Sequence, residues 1–291
     1  MLIALLYVLF LFVCNMNVLI NYADAKYNPA RRWNTWTGLH IAKFDRVFEF
    51  SPDDIDIEFK KTHYKILKEK RGNGLWLWKP YFVNKVINKV NDGDVIFYCD
   101  SGAFFIRDPK HILESLSDES PMFVCDIPLI ESCWTKPFCF EKMGLNNEEI
   151  KESNQIIGTY FAVFVNDFTR KFMKEWLYWC CDYEMISPLG VKKGERPIES
   201  FGSSFVAHRE DQSIFSLMCK KYSISAHKDF SQRGNDPESY FSPLYIYKVP
   251  IHSNDKYKSI LFLHKAPKIT IKVFLYYYIL RLRSILRHIL F

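Results

Sequence analysis

Two kinds of apolar pattern alternate along the middle of the chain. Val18 to Tyr22 and Val95 to Cys99 are short unbroken apolar runs that end in polar residues, the pattern of strands buried on both faces. Before the second of them, Phe82, Val83, Val86, Ile87 and Val90 form one apolar stripe, with Asn84, Lys85, Asn88 and Lys89 on the other side. Pro80 suits the first turn of that helix, and Asp92-Gly93 closes it. Met122 to Ile127 reads as a further strand, and Ile156 to Val165 as another, broken early at Gly158-Thr159. Phe168, Phe172, Met173, Trp176, Leu177 and Cys180 recur at helical spacing, and Asp211 to Tyr222 forms a last internal helix. Alternation of this kind predicts an open α/β sheet with helices on both faces. Ligands of such sheets bind beyond the carboxyl ends of the strands, which here means just after Tyr22 and Cys99.

Chemistry-bearing residues gather at those places. The strand Val95–Cys99 delivers Asp100, followed at once by the small residues Ser101 and Gly102. A carboxylate there can hold a hard cation, and small residues let a ligand approach the backbone. Asn21, Tyr22, Ala23 and Asp24 end the first strand and are expected to meet a nucleotide. Arg71 and Lys79 flank a Gly- and Trp-rich turn before a helix N-terminus and are expected at phosphate, whereas Trp76 and Trp78 read as core. Asp211 opens the last internal helix as candidate acceptor-binding group or general base, and His227 is a candidate second metal ligand. The turn lacks the pattern of an NTPase phosphate loop.

The ends differ from the middle. Leu2 to Cys14 is an unbroken apolar run, too short to span a bilayer, and residues 1–16 read as an apolar extension or signal anchor. Ala23-Asp24-Ala25 offers a cleavage site, but cleavage there would remove the first strand. From 266 to 291 the chain is apolar and aromatic with interspersed Lys272, Arg281, Arg283, Arg287 and His288, as in a helix lying on an anionic membrane surface.

Composition narrows the choice. A hydrophobic share of 48% and an aromatic share of 17% exclude a disordered chain. The eight cysteines include no C-x-x-C pair, which argues against a zinc site and for a reducing, cytoplasmic setting. A net charge of +6 suits phosphate or anionic lipid, while the scattered lysines and arginines give no stripe for nucleic acid.

Several blocks then occur together in a telling order. Gly72-Asn73-Gly74-Leu75-Trp76-Leu77-Trp78-Lys79-Pro80-Tyr81 is followed by Asp92-Gly93-Asp94, Tyr98 to Gly102, Trp134-Thr135-Lys136 and His208-Arg209-Glu210-Asp211-Gln212. In these the chain resembles the GT-A-type glycosyltransferases of bacterial capsule and O-antigen gene clusters, from about Asn17 to about Gly234. The resemblance implies an α/β GT-A domain over residues 17–265, a single Rossmann-like mixed sheet flanked by helices, with a nucleotide-diphosphate sugar at the sheet edge and Mn²⁺ or Mg²⁺ on Asp100, His227 or the donor phosphates completing the shell. Gly102 stands where the family's second acidic residue falls, so metal independence is also open. It further implies that Trp134, Lys136, His208, Asp211 and Gln212 meet acceptor or donor sugar. A lipid-linked or polysaccharide acceptor at the inner face of the cell membrane is the expected partner. A nucleotidyltransferase and a non-catalytic membrane-associated scaffold on the same fold are the alternatives.

Overall fold

The computed structural model of the chain describes residues 15–190, 204–253 and 255–290. The apolar run Leu2–Cys14 therefore lies outside the described residues. Seven strands form the central sheet: β1 (Asn17–Tyr22), β2 (Arg46–Phe50), β3 (Val95–Cys99), β5 (Met122–Ile130), β6 (Asn154–Ile156), β7 (Tyr160–Phe164) and β8 (Ala226–His227). A short antiparallel pair, β4 (Ala103–Phe105) with β9 (Leu261–Leu263), stands apart from it. The sheet order is β2-β1-β3-β7-β5-β6, with β8 also on β5. β2, β1 and β3 are parallel, β7 runs against both β3 and β5, and β8 is parallel to β5. The sheet is therefore mixed, with helices on both faces as the apolar pattern predicts.

The alternation of side chains across the strands separates two cores. One face packs under the helices α2 (Trp78–Ile87), α3 (Asp167–Cys180) and α4 (Glu210–Lys221), around Ile20, Tyr98, Phe161, Trp176 and Phe215. The other packs under α1 (Asn28–His40) and the β4–β9 pair, around Leu19, Phe97, Phe105, Tyr160 and Phe230. Full burial of each such side chain stabilises by about 1.5–3 kcal/mol relative to exposure. The apolar stripe of α2 is buried from Phe82 to Ile87 on its inner side, and α3 starts in a capping box in which Asn166 and Thr169 satisfy each other's N–H groups. The seven cysteines among the described residues are free thiols, six of them buried.

The helix at the C-terminal end, α5 (Ile271–Leu290), packs Phe274 against Trp33 and Tyr277 against Phe104 and Phe262. It leaves Ile271, Leu275, Tyr278, Ile279 and Leu282 exposed. No helix among the described residues is long and apolar enough to cross a membrane.

Candidate functional site

Parallel β1 and β3 lie side by side, so their carboxyl ends open into one recess. Tyr22 leaves β1 there, and Asp100 leaves β3. Ser101 donates its hydroxyl to the Tyr22 carbonyl at 2.6 Å, which ties the two strand ends together. Tyr22 stacks on Trp78 with ring centroids 3.7 Å apart, making a flat aromatic wall. Asn73 donates to the Tyr22 hydroxyl from a turn in which Gly72, Asn73, Gly74, Leu75 and Trp76 all have positive φ. Glycine takes this left-handed form freely; Asn73, Leu75 and Trp76 are strained there, and the strain is held by packing, since Leu75 is fully buried.

These elements enclose a cavity of about 520 Å³, lined by Tyr22, Ala23, Asp24, Lys26, Tyr27, Lys70, Gly72, Asn73, Trp76, Trp78, Asp100, Ser101, Gly102, Thr159, Leu263 and Lys265. Of the residues expected at a nucleotide, Tyr22, Ala23, Asp24, Asp100, Ser101 and Gly102 line it. Asn21 does not: it is fully buried and donates to Asn34 (2.8 Å) and Thr35 (3.0 Å), anchoring β1 to α1. Trp78 is buried in the core, as expected, with one side on the cavity, and Trp76 packs against that core partly exposed in the cavity wall. Lys26, Tyr27, Lys70, Thr159, Leu263 and Lys265 carry no motif that would have marked them.

Behind Asp100 lies a closed, charged layer. Lys79, 3% exposed, holds its Nζ 3.5 Å from Asp100 Oδ1 and 2.9 Å from Asp211 Oδ2, and donates to the Gly158 carbonyl at 2.9 Å. Burial opposes the charge on Lys79, but the two carboxylates outweigh it and its pKa is raised. Asp211 is pushed up to about 6, because burial outweighs the attraction of Lys79. Tyr98 donates its hydroxyl to Asp100 Oδ1 at 2.5 Å. Arg71, expected at phosphate, turns instead to Glu210, with Nε 2.5 Å from its Oε1. Glu210 itself has φ +43, a strained start to α4.

The residues expected at a sugar sit beyond this layer. Gln212 donates to Gln155 at 2.8 Å. Lys136 donates to the Ser187 carbonyl at 2.7 Å, and burial lowers its pKa. His208 is 1% exposed, and burial drives its pKa well below the usual histidine value, so it is neutral. Trp134 lies 5.8 Å from the Arg209 guanidinium. None of these lines the cavity.

The two expected metal ligands do not meet. His227 stacks on Phe123 at 3.9 Å and turns Nδ1 toward Asp255 at 3.4 Å. It sits on β8, three strand positions from β3, roughly 14 Å away at the usual strand spacing. Among the described residues no three His, Cys, Asp or Glu side chains converge as metal ligands. His264 follows β9 beside the Asp100 turn, but its Nδ1 accepts the Ala266 N–H at 3.1 Å. Its neutral ring then carries the proton on Nε2, which makes that buried atom a donor rather than a ligand. At position 102 an added Cβ would stand 3.3 Å from the Lys265 Cα, and the Gly102 carbonyl accepts the N–H groups of His264 and Lys265. A second acidic side chain at position 102 would crowd the Lys265 backbone, and a divalent ion at this turn would find the Asp100 carboxylate with its Oδ1 already engaged by Tyr98 and Lys79, Asp24 being the other carboxylate in the cavity wall. The residues present do not fit a protein-held metal centre.

No family model and no curated protein matches the sequence. Solved structures do resemble its fold. Mouse xyloside xylosyltransferase 1, in its apo form, is 8% identical over 85% of this chain and 97% of that one, at a TM-score of 0.45. Glycosyltransferase GlyE of Streptococcus pneumoniae TIGR4 is 10% identical over 86% of this chain and 54% of that one, at 0.44. Galactosyltransferase LgtC, solved with donor and acceptor sugar analogues, is 11% identical over 82% and 90%, at 0.38. Identities this low leave the role of every side chain to this chain's own geometry.

Proposed function

We propose that the protein is a GT-A-type glycosyltransferase, moving a sugar from a nucleoside-diphosphate sugar to a lipid-linked or polysaccharide acceptor in surface-polysaccharide assembly. The observation that carries this reading is the cavity at the ends of β1 and β3, which joins an aromatic wall to a carboxylate turn and a lysine rim. Its volume suits a ligand of nucleotide-sugar size. Tyr22, Trp78 and Trp76 offer flat surfaces for a base, and Ala23 and Asp24 the strand-end backbone beside it. Asp100 and Gly102 lie where the sugar and diphosphate would be held.

In the reaction the bond between the anomeric carbon and the diphosphate oxygen breaks, and the acceptor hydroxyl oxygen forms the new bond. The hydroxyl proton passes to a base, and the nucleoside diphosphate leaves with the electron pair. Asp100, in the cavity wall, is the group placed to touch the donor. Asp211 is 3% exposed and faces Lys79, so we assign it as a positioning residue, holding Lys79 against Asp100, rather than as the base. The exposed stripe of α5 supports a peripheral site on an anionic membrane, tested by co-sedimentation with phosphatidylglycerol vesicles and with Leu275→Asp as the variant that should stay in solution.

A thermal-shift series with nucleoside diphosphates and sugar nucleotides tests the main reading. A ligand at 100 times its dissociation constant should stabilise by about 2.7 kcal/mol. No shift with any of them would sink the transferase reading and favour a non-catalytic scaffold.

A further inference from the structure

Next to the cavity, two half-buried arginines stand near each other without an anion. Arg209 is fixed just ahead of α4, where its N–H donates to Ser213 Oγ at 2.9 Å, and its guanidinium carbon lies 5.8 Å from the centre of the Trp134 ring. Arg233 holds its guanidinium carbon 5.1 Å from the Tyr240 ring and donates to the Ser239 carbonyl at a long 3.4 Å, while its Nε is buried with no acceptor. Burial, and after it the like charge of Arg233, lower the pKa of Arg209. Both guanidinium groups also act on the Tyr240 hydroxyl, so the two cations share one neighbourhood.

The carboxylates of that neighbourhood have other partners. Glu210 pairs with Arg71, Asp211 pairs with Lys79, and Asp229 accepts the Tyr160 hydroxyl and the Ser231 N–H. Among the described residues, neither Arg209 nor Arg233 has a carboxylate within ion-pair distance. Two cations withdrawn from water without a counter-charge cost the free protein stability. The planar fork of a guanidinium matches the paired oxygens of a phosphate or a carboxylate.

Their position ties them to the cavity. Gln232, beside Arg233, donates to the Leu263 carbonyl at 3.1 Å and accepts the Leu263 N–H at 2.8 Å, and Leu263 lines the cavity. Gln212, three residues after Arg209, packs on Gly158, where an added Cβ would stand 3.1 Å from the Gln212 Cβ. The next residue, Thr159, lines the cavity as well. The two arginines therefore follow the cavity along the sheet edge, past Thr159 and away from Tyr22 on β1. With a donor in the cavity, that is the side left for an acceptor.

Resting on the transferase reading, we infer that Arg209 and Arg233 together seat an anionic oxygen group of the acceptor, supplied either by the diphosphate of a lipid-linked sugar or by the carboxylate of an acidic sugar.

The test is calorimetric titration of the full chain with sodium pyrophosphate and with methyl β-glucuronide, with methyl β-glucoside as the neutral control. At least one of the anions should bind and the glucoside should not. Arg209→Gln and Arg233→Gln should each weaken that binding by about tenfold, as loss of one charge-assisted contact does, and leave the thermal shift given by nucleoside diphosphates in place. Arg209→Lys keeps the charge without the fork and should recover only part of the loss. Each Gln variant removes a cation that has no counter-charge in the free protein, so it should melt no more than about 3 °C below the wild-type chain. Tighter binding of pyrophosphate assigns the lipid-linked diphosphate, and tighter binding of the glucuronide assigns the acidic sugar. Absence of binding by either anion, or binding that both Gln variants leave unchanged, overturns the inference. A larger fall in melting temperature also overturns it, by making the arginines part of the packed core. None of these results touches the nucleotide reading. Arginine-dependent anion binding in a chain that no nucleoside diphosphate stabilises would instead remove the transferase reading, and the acceptor role of the two arginines with it.

Discussion

The two sides of Asp100 are built on different terms. Toward the cavity the chain offers a partly exposed indole, strand-end backbone and the outer face of the Asp100 turn. Toward the sheet, Lys79, Asp211, Glu210 and Gln212 are packed away, Lys79 paired with Asp211, Glu210 with Arg71, and Gln212 bonded to Gln155. The first side is arranged to exchange water for a ligand; the second fixes the one carboxylate on which that exchange turns. The sequence motifs serve both sides: Gly72 to Trp78 and Asp100 to Gly102 reach the cavity, while Lys79, Asp211 and Gln212 stand in the closed layer. A motif in this chain marks what must be positioned as much as what does the touching.

The largest effect that would break this contrast is on stability. Lys79→Ala leaves the buried Asp211, and beside it the partly exposed Asp100, without their cation and should cost about 3–5 kcal/mol. For a chain of this length that is a fall in melting temperature of roughly 5–8 °C; a fall below 2 °C would mean the layer is not closed. Asp100→Asn keeps the shape of the side chain but not its charge. Turnover should drop about 100-fold with little change in melting temperature, as for loss of one preorganised electrostatic contact. Near-normal turnover in that variant would place the reacting atoms elsewhere.

Trp76→Ala sharpens the contrast on the open side. It should weaken nucleoside-diphosphate binding by about tenfold, the scale of one lost base stack, and leave the melting temperature unchanged. Trp78→Ala, from the buried half of the same wall, should destabilise by about 3 kcal/mol as a large-to-small core change. Identical stability in the two variants would show that both indoles belong to the core.

The smallest effect concerns pH. Asp211 has a folded-state pKa near 6, above the usual carboxylate value. The stability this favours is present below the unfolded value and is lost as pH rises through about 6. Ionisation also tightens the hold on Lys79, so kcat/KM should rise through the same range, by no more than about tenfold. Asp211→Asn should flatten that acid limb while keeping measurable turnover. A limb unchanged in the variant would assign it to another group.

What the sequence shows plainly follows the period of its apolar residues. β1, β3, α2, α3 and α4 are legible because each has a regular buried face. β2 was not foreseen because it is an edge strand with partly exposed positions, and α1 because its inward face is made of Ala30, Asn34, Thr37 and Gly38 rather than large apolar residues. The left half of the cavity was legible, since Tyr22 to Asp24 and Asp100 to Gly102 end apolar strands. Lys265 was not, because it reaches the Asp100 turn from more than 160 residues away through the β4–β9 pair, and nothing local in Leu261-Phe262-Leu263-His264-Lys265 points there. His227 was misplaced for the mirror-image reason: a polar residue at a strand end resembles a ligand until the strand order sets it on the far edge.

The left-handed turn from Gly72 to Trp76 carries a lesson for anyone redesigning this protein. Five successive residues there have positive φ, a form only Gly72 and Gly74 take freely, so an inserted residue would have to adopt it too or move Trp76 away from the cavity. Laboratory evolution toward a different donor base should therefore collect substitutions at Asn73 and Trp76 and never a length change between them. The spacing of this loop is the inheritable part of the site; its side chains are the adjustable part.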